Sequence, residues 1–398
     1  MADYLVKHSF GCIRHFCHSP RNGIYLCTMT DARITGYEVI MADGQSDYDI
    51  LIDDNDITHI TCQDSEGNII YIKNEKGKWE KYTLLKSKSS SSYSKNFNIF
   101  HTDNLISVIY AVDYKGKRLL SHHMIESSDV PVAIDYAAGD FSCAKDNNGN
   151  IHLLYTNGNG VPGWRQFSWN TKQWGEFTPT SAESLKSPYV FVNDKIHAAG
   201  VTADNKVVYL SQGEQKVVGE HGKNPIIMQK DSEIYVMWES PKDARVYASP
   251  SSDNGNTFSQ PIEFMPERFV PVKLFGLAAT SFEQCGARHC YGYIKDNIVS
   301  LFLMSNFLKV NKTPPQRAVQ PEPKANSGLH LLKLETEMRH MDNIIAEIDF
   351  RLCMIEKAIK DLNEKQYDLT AEQSSLSLEN EQEVSDEEQS NENPENGA

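Results

Sequence analysis

Polar turns followed by short apolar strands recur along most of this chain. Asn22-Gly23 leads into Ile24-Tyr25-Leu26, and Gly67-Asn68 into Ile69-Ile70-Tyr71. Asn104 precedes Leu105-Ile106-Ser107-Val108, and Gly149-Asn150 precedes Ile151-His152-Leu153. Asp194-Lys195 then opens Ile196-His197-Ala198, and Asp231-Ser232-Glu233 opens Ile234-Tyr235. Between the isoleucines at 24, 69, 106, 151, 196 and 234 the steps are 45, 37, 45, 45 and 38 residues. Each step holds several strands. Thr58 to Cys62 alternates, Asp64 to Asn68 turns, Ile69 to Lys73 is a second strand, Asn74 to Gly77 turns again, and Trp79 to Leu85 is a third. Antiparallel meanders at a period of about 40–45 residues are the mark of a β-propeller blade. Packing such sheets around an axis covers both faces and leaves short edges. Six anchors predict six blades, and Leu274–Val310 supplies a seventh or the closing strand, so the head runs over 1–310. Two separate β-sandwiches are the alternative that evenly spaced strands also permit.

Beyond the head the pattern changes twice. Residues 311–326 hold Pro314, Pro315, Pro321 and Pro323, which favour an extended linker. From 327 to 370 apolar residues fall at alternating steps of three and four: Leu331, Leu334, Met338, Met341, Ile345, Ile348, Leu352, Ile355, Ile359 and Leu362. This spacing predicts a coiled coil. One helix with such a stripe needs a second surface, which is a copy of itself, another protein or its own head. The expectation is a homo-oligomer, dimer or trimer. Residues 371–398 read as a disordered acidic tail. The fold class expected is thus an all-β propeller followed by a long helical coiled coil and that tail.

Charge supports this division. Ten carboxylates lie beyond Lys365, the last basic residue, and they account for most of the formal net charge of −15. The head is only mildly acidic, so nucleic acid is not an expected partner. No apolar run of about 18 residues spans a membrane. Met1 to His8 lacks the basic and apolar regions of a secretory signal, and the expected location is cytoplasmic. Eight cysteines in 398 residues are too sparse for a disulfide scaffold.

The sharpest motif is Ser251-Ser252-Asp253-Asn254-Gly255-Asn256-Thr257-Phe258, which carries Ser251, Asp253, Gly255, Thr257 and Phe258 at the fixed positions of an Asp-box. On this motif and the repeat, the head resembles the sialidase-like (Asp-box, or BNR-repeat) β-propeller superfamily. The resemblance implies a structural role for the box, at a turn between the outer strands of a blade and away from any catalytic face. Active sialidases carry an early Arg-Ile-Pro, an arginine triad, a Tyr–Glu pair and an acidic residue. Here Arg33-Ile34-Thr35 lacks the proline, no spacing singles out three arginines, and no catalytic residues are nominated.

Other candidates are softer. Trp79, Trp164, Trp169, Trp174 and Trp238 offer faces on which a sugar could stack, or they pack between blades. Cys12 and Cys17 near one end of the head, with Cys285 and Cys290 near the other, are expected to be plain buried thiols; the alternatives are a Zn²⁺ held where the ring closes, or a disulfide, and no metal site is nominated. No cofactor is implied. The function expected is a non-enzymatic binding or scaffold protein, its heads gathered by the stalk and presenting a face to a protein or glycan ligand. The alternative is a carbohydrate-active propeller, lectin-like or a sialidase-type hydrolase.

Overall fold

A computed structural model describes residues 3–309, except 31, 76, 89–92, 126–129, 212, 244, 268–269 and 281–286. The described residues form twenty-seven strands and one 3₁₀ turn, Ser305–Leu308. The first meander is β1 (Asp3–Lys7), β2 (Ile13–Ser19), β3 (Gly23–Thr30) and β4 (Arg33–Met41). The second is β5 (Tyr48–Ile52), β6 (Thr58–Gln63), β7 (Ile69–Glu75) and β8 (Lys78–Leu85). The third begins with β9 (Asn98–Thr102), β10 (Leu105–Tyr114) and β11 (Lys117–Ile125). It ends on β12 (Val132–Lys145), whose second half also opens the fourth meander. That meander continues through β13 (Ile151–Asn157), β14 (Pro162–Ser168), β15 (Gln173–Trp174) and β16 (Thr178–Pro179). The fifth is β17 (Lys186–Val192), β18 (Ile196–Val201), β19 (Val207–Ser211) and β20 (Glu214–Gly219). The sixth is β21 (Lys223–Lys230), β22 (Glu233–Glu239), β23 (Val246–Ser251) and β24 (Ile262–Phe264). The seventh has β25 (Lys273–Ala279), β26 (His289–Lys295) and β27 (Ile298–Leu301).

The opening strands β1, β5, β9, β12, β17 and β21 touch their neighbours in that order, and β21 touches β26. The circuit closes where β1 runs parallel to β25, with Tyr4 opposite Gly276. At the other edge Ile298 of β27 stands opposite Arg33 of β4, so the first and last meanders share one closed sheet. This is a β-propeller arrangement, with seven meanders among the described residues. Burial follows from it. Every residue of β6 is buried, because meanders cover both of its faces. No residue of the peripheral strand β8 is buried. Alternation in β6 therefore marks two packed faces, one carrying Thr58, Ile60 and Cys62 and the other His59, Thr61 and Gln63.

The composite fold class read from the sequence needs correction. The described structure is all-β, and no helix of seven or more residues occurs among the described residues. The linker, the seam from Leu331 to Leu362 and the acidic tail lie outside those residues. A heptad pattern stabilises a helix only where a second surface covers the seam, and periodicity supplies no such surface. No helix among the described residues is long and apolar enough to cross a membrane.

Candidate functional site

Among the clefts formed by the described residues, two lie between consecutive meanders. The larger, about 660 Å³, lies where β12 passes from the third meander to the fourth. Register is lost between Ala137 and Phe141, so Ala138, Gly139 and Asp140 step out of the ladder. Small side chains there leave room that a regular strand would fill. Above this break stand Lys117 and Arg118 at the start of β11, Asp135 and Tyr136 on β12, Asn159 in the β13–β14 turn, and Phe177. Arg118 is held in place: Nη1 donates to Gly139 O at 3.2 Å and pairs with Asp140 Oδ1 at 3.3 Å, while Nη2 donates to Ser94 O at 3.1 Å. Asp135 accepts the Tyr136 N–H at 2.7 Å and the Tyr155 hydroxyl at 2.6 Å. Burial first, then this bond to Asp135, pushes the Tyr155 phenol up, so it stays a proton donor. Phe177 meets the Tyr155 ring edge-on at 5.4 Å, and the Lys117 ammonium lies 5.6 Å from the Tyr136 ring centre. The site therefore combines half-buried aromatic surface, cations, a carboxylate and an amide.

The smaller cleft, about 450 Å³, lies between the fifth and sixth meanders and is walled by Val217, Trp238, Tyr247, Phe258 and Gln260. Trp238 reaches it because Gly219 and Gly222 have no side chain. A Cβ on Gly219 would stand 2.2 Å from the indole.

A third cluster forms where the opening strands converge. Arg288, just before β26, pairs with Asp49 of β5. Asp49 also accepts the N–H groups of Ile50 and Ile99, at 2.9 and 2.8 Å. The guanidinium lies 5.0 Å from the Phe100 ring centre. Burial opposes the Arg288 charge, but the Asp49 carboxylate outweighs it and holds its pKa above the usual value. Beside it His289 is pushed down to about 3 by burial and then by Arg288, so the ring is neutral; its Nδ1 lies 3.2 Å from the Tyr189 hydroxyl. Sequence reasoning missed this cluster, and no local pattern announces a pair 239 residues apart.

The tryptophans singled out from the sequence are spread over several meanders. Trp238 lines the smaller cleft. Trp79 meets Phe16 edge-on at 6.3 Å, and Trp164 packs against the cluster of Leu154, Val190 and Leu210. Trp169 and Trp174 gather around Phe167 at 6.4 and 5.4 Å, and the Trp169 indole donates to Asp103 at 2.7 Å. The structure does not bring the five onto one surface.

The Ser251–Phe258 segment forms the turn between β23 and β24. Asp253 accepts from the Thr257 N–H at 2.8 Å, the Thr257 hydroxyl at 2.6 Å and the Ser251 hydroxyl at 2.8 Å. These bonds, the Thr257 hydroxyl foremost, lower its pKa to about 2. Phe258 packs on Tyr209 at 4.8 Å. Two related turns use Asp64 and Asp146. Each carboxylate accepts backbone N–H groups two and four residues on, and the Asn at the fourth position then accepts the N–H of Ser87 or Trp169. The signal for both is Asp-x-x-Gly-Asn.

Of the four cysteines considered for zinc, Cys285 lies outside the described residues. Cys290 is buried and its thiol donates to Phe302 O at 3.1 Å. Cys17 sits with His15 and Cys27, a group that includes neither Cys12 nor Cys290.

No known protein-family model matches this chain, and no curated protein sequence matches it. Among solved structures, the BP39L lectin from Burkholderia pseudomallei superposes with a TM-score of 0.52 at 10% identity, over 76% of this chain and 96% of that one. An ulvan lyase of a polysaccharide lyase family gives 0.49 at 12% identity, over 76% and 94%. A fucose-specific lectin from Aleuria aurantia gives 0.42 at 10% identity, over 65% and 95%. At such identities the likeness to the Burkholderia lectin is one of fold, the β-propeller.

Proposed function

We propose that this protein binds carbohydrate, without chemistry, in the cleft between the third and fourth meanders. The observation that carries this reading is the composition of that cleft. A pyranose presents an apolar face and a rim of hydroxyls. Tyr136 and Phe177 offer aromatic surface to the first. Lys117, Arg118, Asp135 and Asn159 offer donors and acceptors to the second. A volume of about 660 Å³ is within the range of small-ligand sites. Asp135 is the one carboxylate among the described lining residues, whereas glycoside hydrolysis ordinarily uses a pair. That favours binding over cleavage. The fold shared with a lectin supports the reading only as an analogy of architecture. The scaffold function expected from the sequence rests on positions outside the described residues, and the lectin-like alternative has the better support. The Ser251–Phe258 turn, within this reading, pins a hairpin and touches no ligand.

The deciding experiment is a glycan array probed with the full chain, followed by calorimetry with any sugar retained. Saturable binding that Tyr136→Ala abolishes supports the proposal. An array without retained glycans, or binding unaffected by Tyr136→Ala, overturns it.

A further inference from the structure

Strands β2 and β3 bring three metal-binding side chains to one face of the first meander. His15 stands directly opposite Cys27, and Cys17 is two residues from His15 on the same strand. Residues two apart share a face, and so do cross-strand partners, so the three side chains converge. All three are buried, at 2%, 6% and 7% exposure for His15, Cys17 and Cys27. Their ligand atoms lie within 4.8 Å of one another. The Cys17 sulfur is 3.4 Å from His15 Nδ1 and 3.2 Å from Nε2. Asp3 Oδ2 is 3.3 Å from Nε2 and accepts from the Lys273 ammonium at 2.8 Å.

From this geometry we infer that His15, Cys17 and Cys27 bind a thiophilic divalent metal ion, Zn²⁺ by its chemistry. Tetrahedral zinc, with bonds of ~2.3 Å to sulfur and ~2.0–2.1 Å to nitrogen, sets its ligand atoms ~3.3–3.8 Å apart. The Cys17–His15 separation of 3.4 Å already meets that requirement. Asp3 holds Nε2–H, which leaves Nδ1 for the metal; carboxylate, histidine and metal then stand in the usual outer-sphere order. Charge balances as well, since two thiolates neutralise a divalent ion in a buried place and imidazole adds none. Soft sulfur donors exclude Ca²⁺ and Mg²⁺. The fourth position falls to a solvent ligand. Binding releases the two thiol protons to solvent, and no electron transfer is involved.

The test uses the full chain, reduced, stripped with a chelator and titrated with Co²⁺. The expected result is a thiolate-to-cobalt charge-transfer band that saturates at one ion per chain and is bleached by Zn²⁺. Cys17→Ser and Cys27→Ser each lose the band, and Cys290→Ser keeps it. Absence of the band in the unsubstituted protein overturns the assignment, whatever the variants do. Survival of the band in the Cys17→Ser/Cys27→Ser double variant, with circular dichroism unchanged, also overturns it. Zinc retained through chelator-free purification, and lost in the same two variants, supports it.

Discussion

The Nδ1 atom of His197 lies 2.6 Å from the hydroxyl of Tyr209. Its other nitrogen, Nε2, is 2.9 Å from Asn193 Oδ1. The second meander repeats the arrangement, with His59 Nδ1 2.7 Å from the Tyr71 hydroxyl. In each case the pair is twelve residues apart and joins the second strand to the third. An amide oxygen accepts at one nitrogen of His197, so that nitrogen carries the proton and the other accepts from tyrosine. The ring is neutral and satisfied.

Acid should therefore weaken the fold. Burial, then Lys195, pushes His197 down to about 4, and burial pushes His122 to about 4 as well. The unfolded chain takes up these protons near pH 6.5, before the folded one does. The stability they contribute is complete above pH 6.5 and is lost as pH falls from there toward 4. Urea denaturation at pH 7 and pH 5 is expected to show a clear drop in midpoint, and His197→Gln is expected to reduce its pH dependence. An unchanged midpoint would contradict the neutral, buried assignment.

Gly255 sits under the same tyrosine. Its φ is +86°, and a Cβ there would stand 2.0 Å from the Tyr209 hydroxyl oxygen. Gly77 has a similar φ of +80° with open space around it. Gly77→Ala is expected to cost about 1 kcal/mol from backbone strain alone. Gly255→Ala should cost about 1–3 kcal/mol more through the collision. Equal losses for the two variants, measured by urea denaturation, would mean that the contact with Tyr209 is dispensable.

The pair of Asp49 and Arg288 ties the second meander to the seventh. Asp49→Ala leaves a guanidinium without its counter-charge among buried groups and should destabilise by about 3–5 kcal/mol. Adding Arg288→Met should recover part of that loss. A double-mutant cycle by calorimetry gives the coupling, and additive losses would show that the two residues act independently.

Within the larger cleft, Asp135→Asn keeps an acceptor for the Tyr155 hydroxyl but removes the charge. Sugar affinity is expected to fall about tenfold, the worth of one charge-assisted hydrogen bond, with thermal stability little changed. Val217→Ser, in the smaller cleft, should leave affinity intact. Calorimetry on both variants separates the clefts, because a loss confined to Val217→Ser would move the site.

The strand-and-turn rhythm was legible because it is local. Asp64 and Asp146 reach N–H groups only two and four residues away, so the residues that make each turn are neighbours in the chain. The Ser251–Phe258 turn could be read for the same reason. Tertiary structure alone decided what depends on register and closure. Ala138 to Asp140 look like any strand interior until β12 has to serve two meanders, and only that double duty opens the cleft beside Arg118. His15, Cys17 and Cys27 become one cluster through the pairing of β2 with β3, whereas the spacing of Cys12, Cys17, Cys285 and Cys290 points elsewhere. Asp49 finds Arg288 because the circuit of opening strands closes. A turn's energy is settled by a handful of adjacent residues, while these sites depend on where distant strands come to rest against each other.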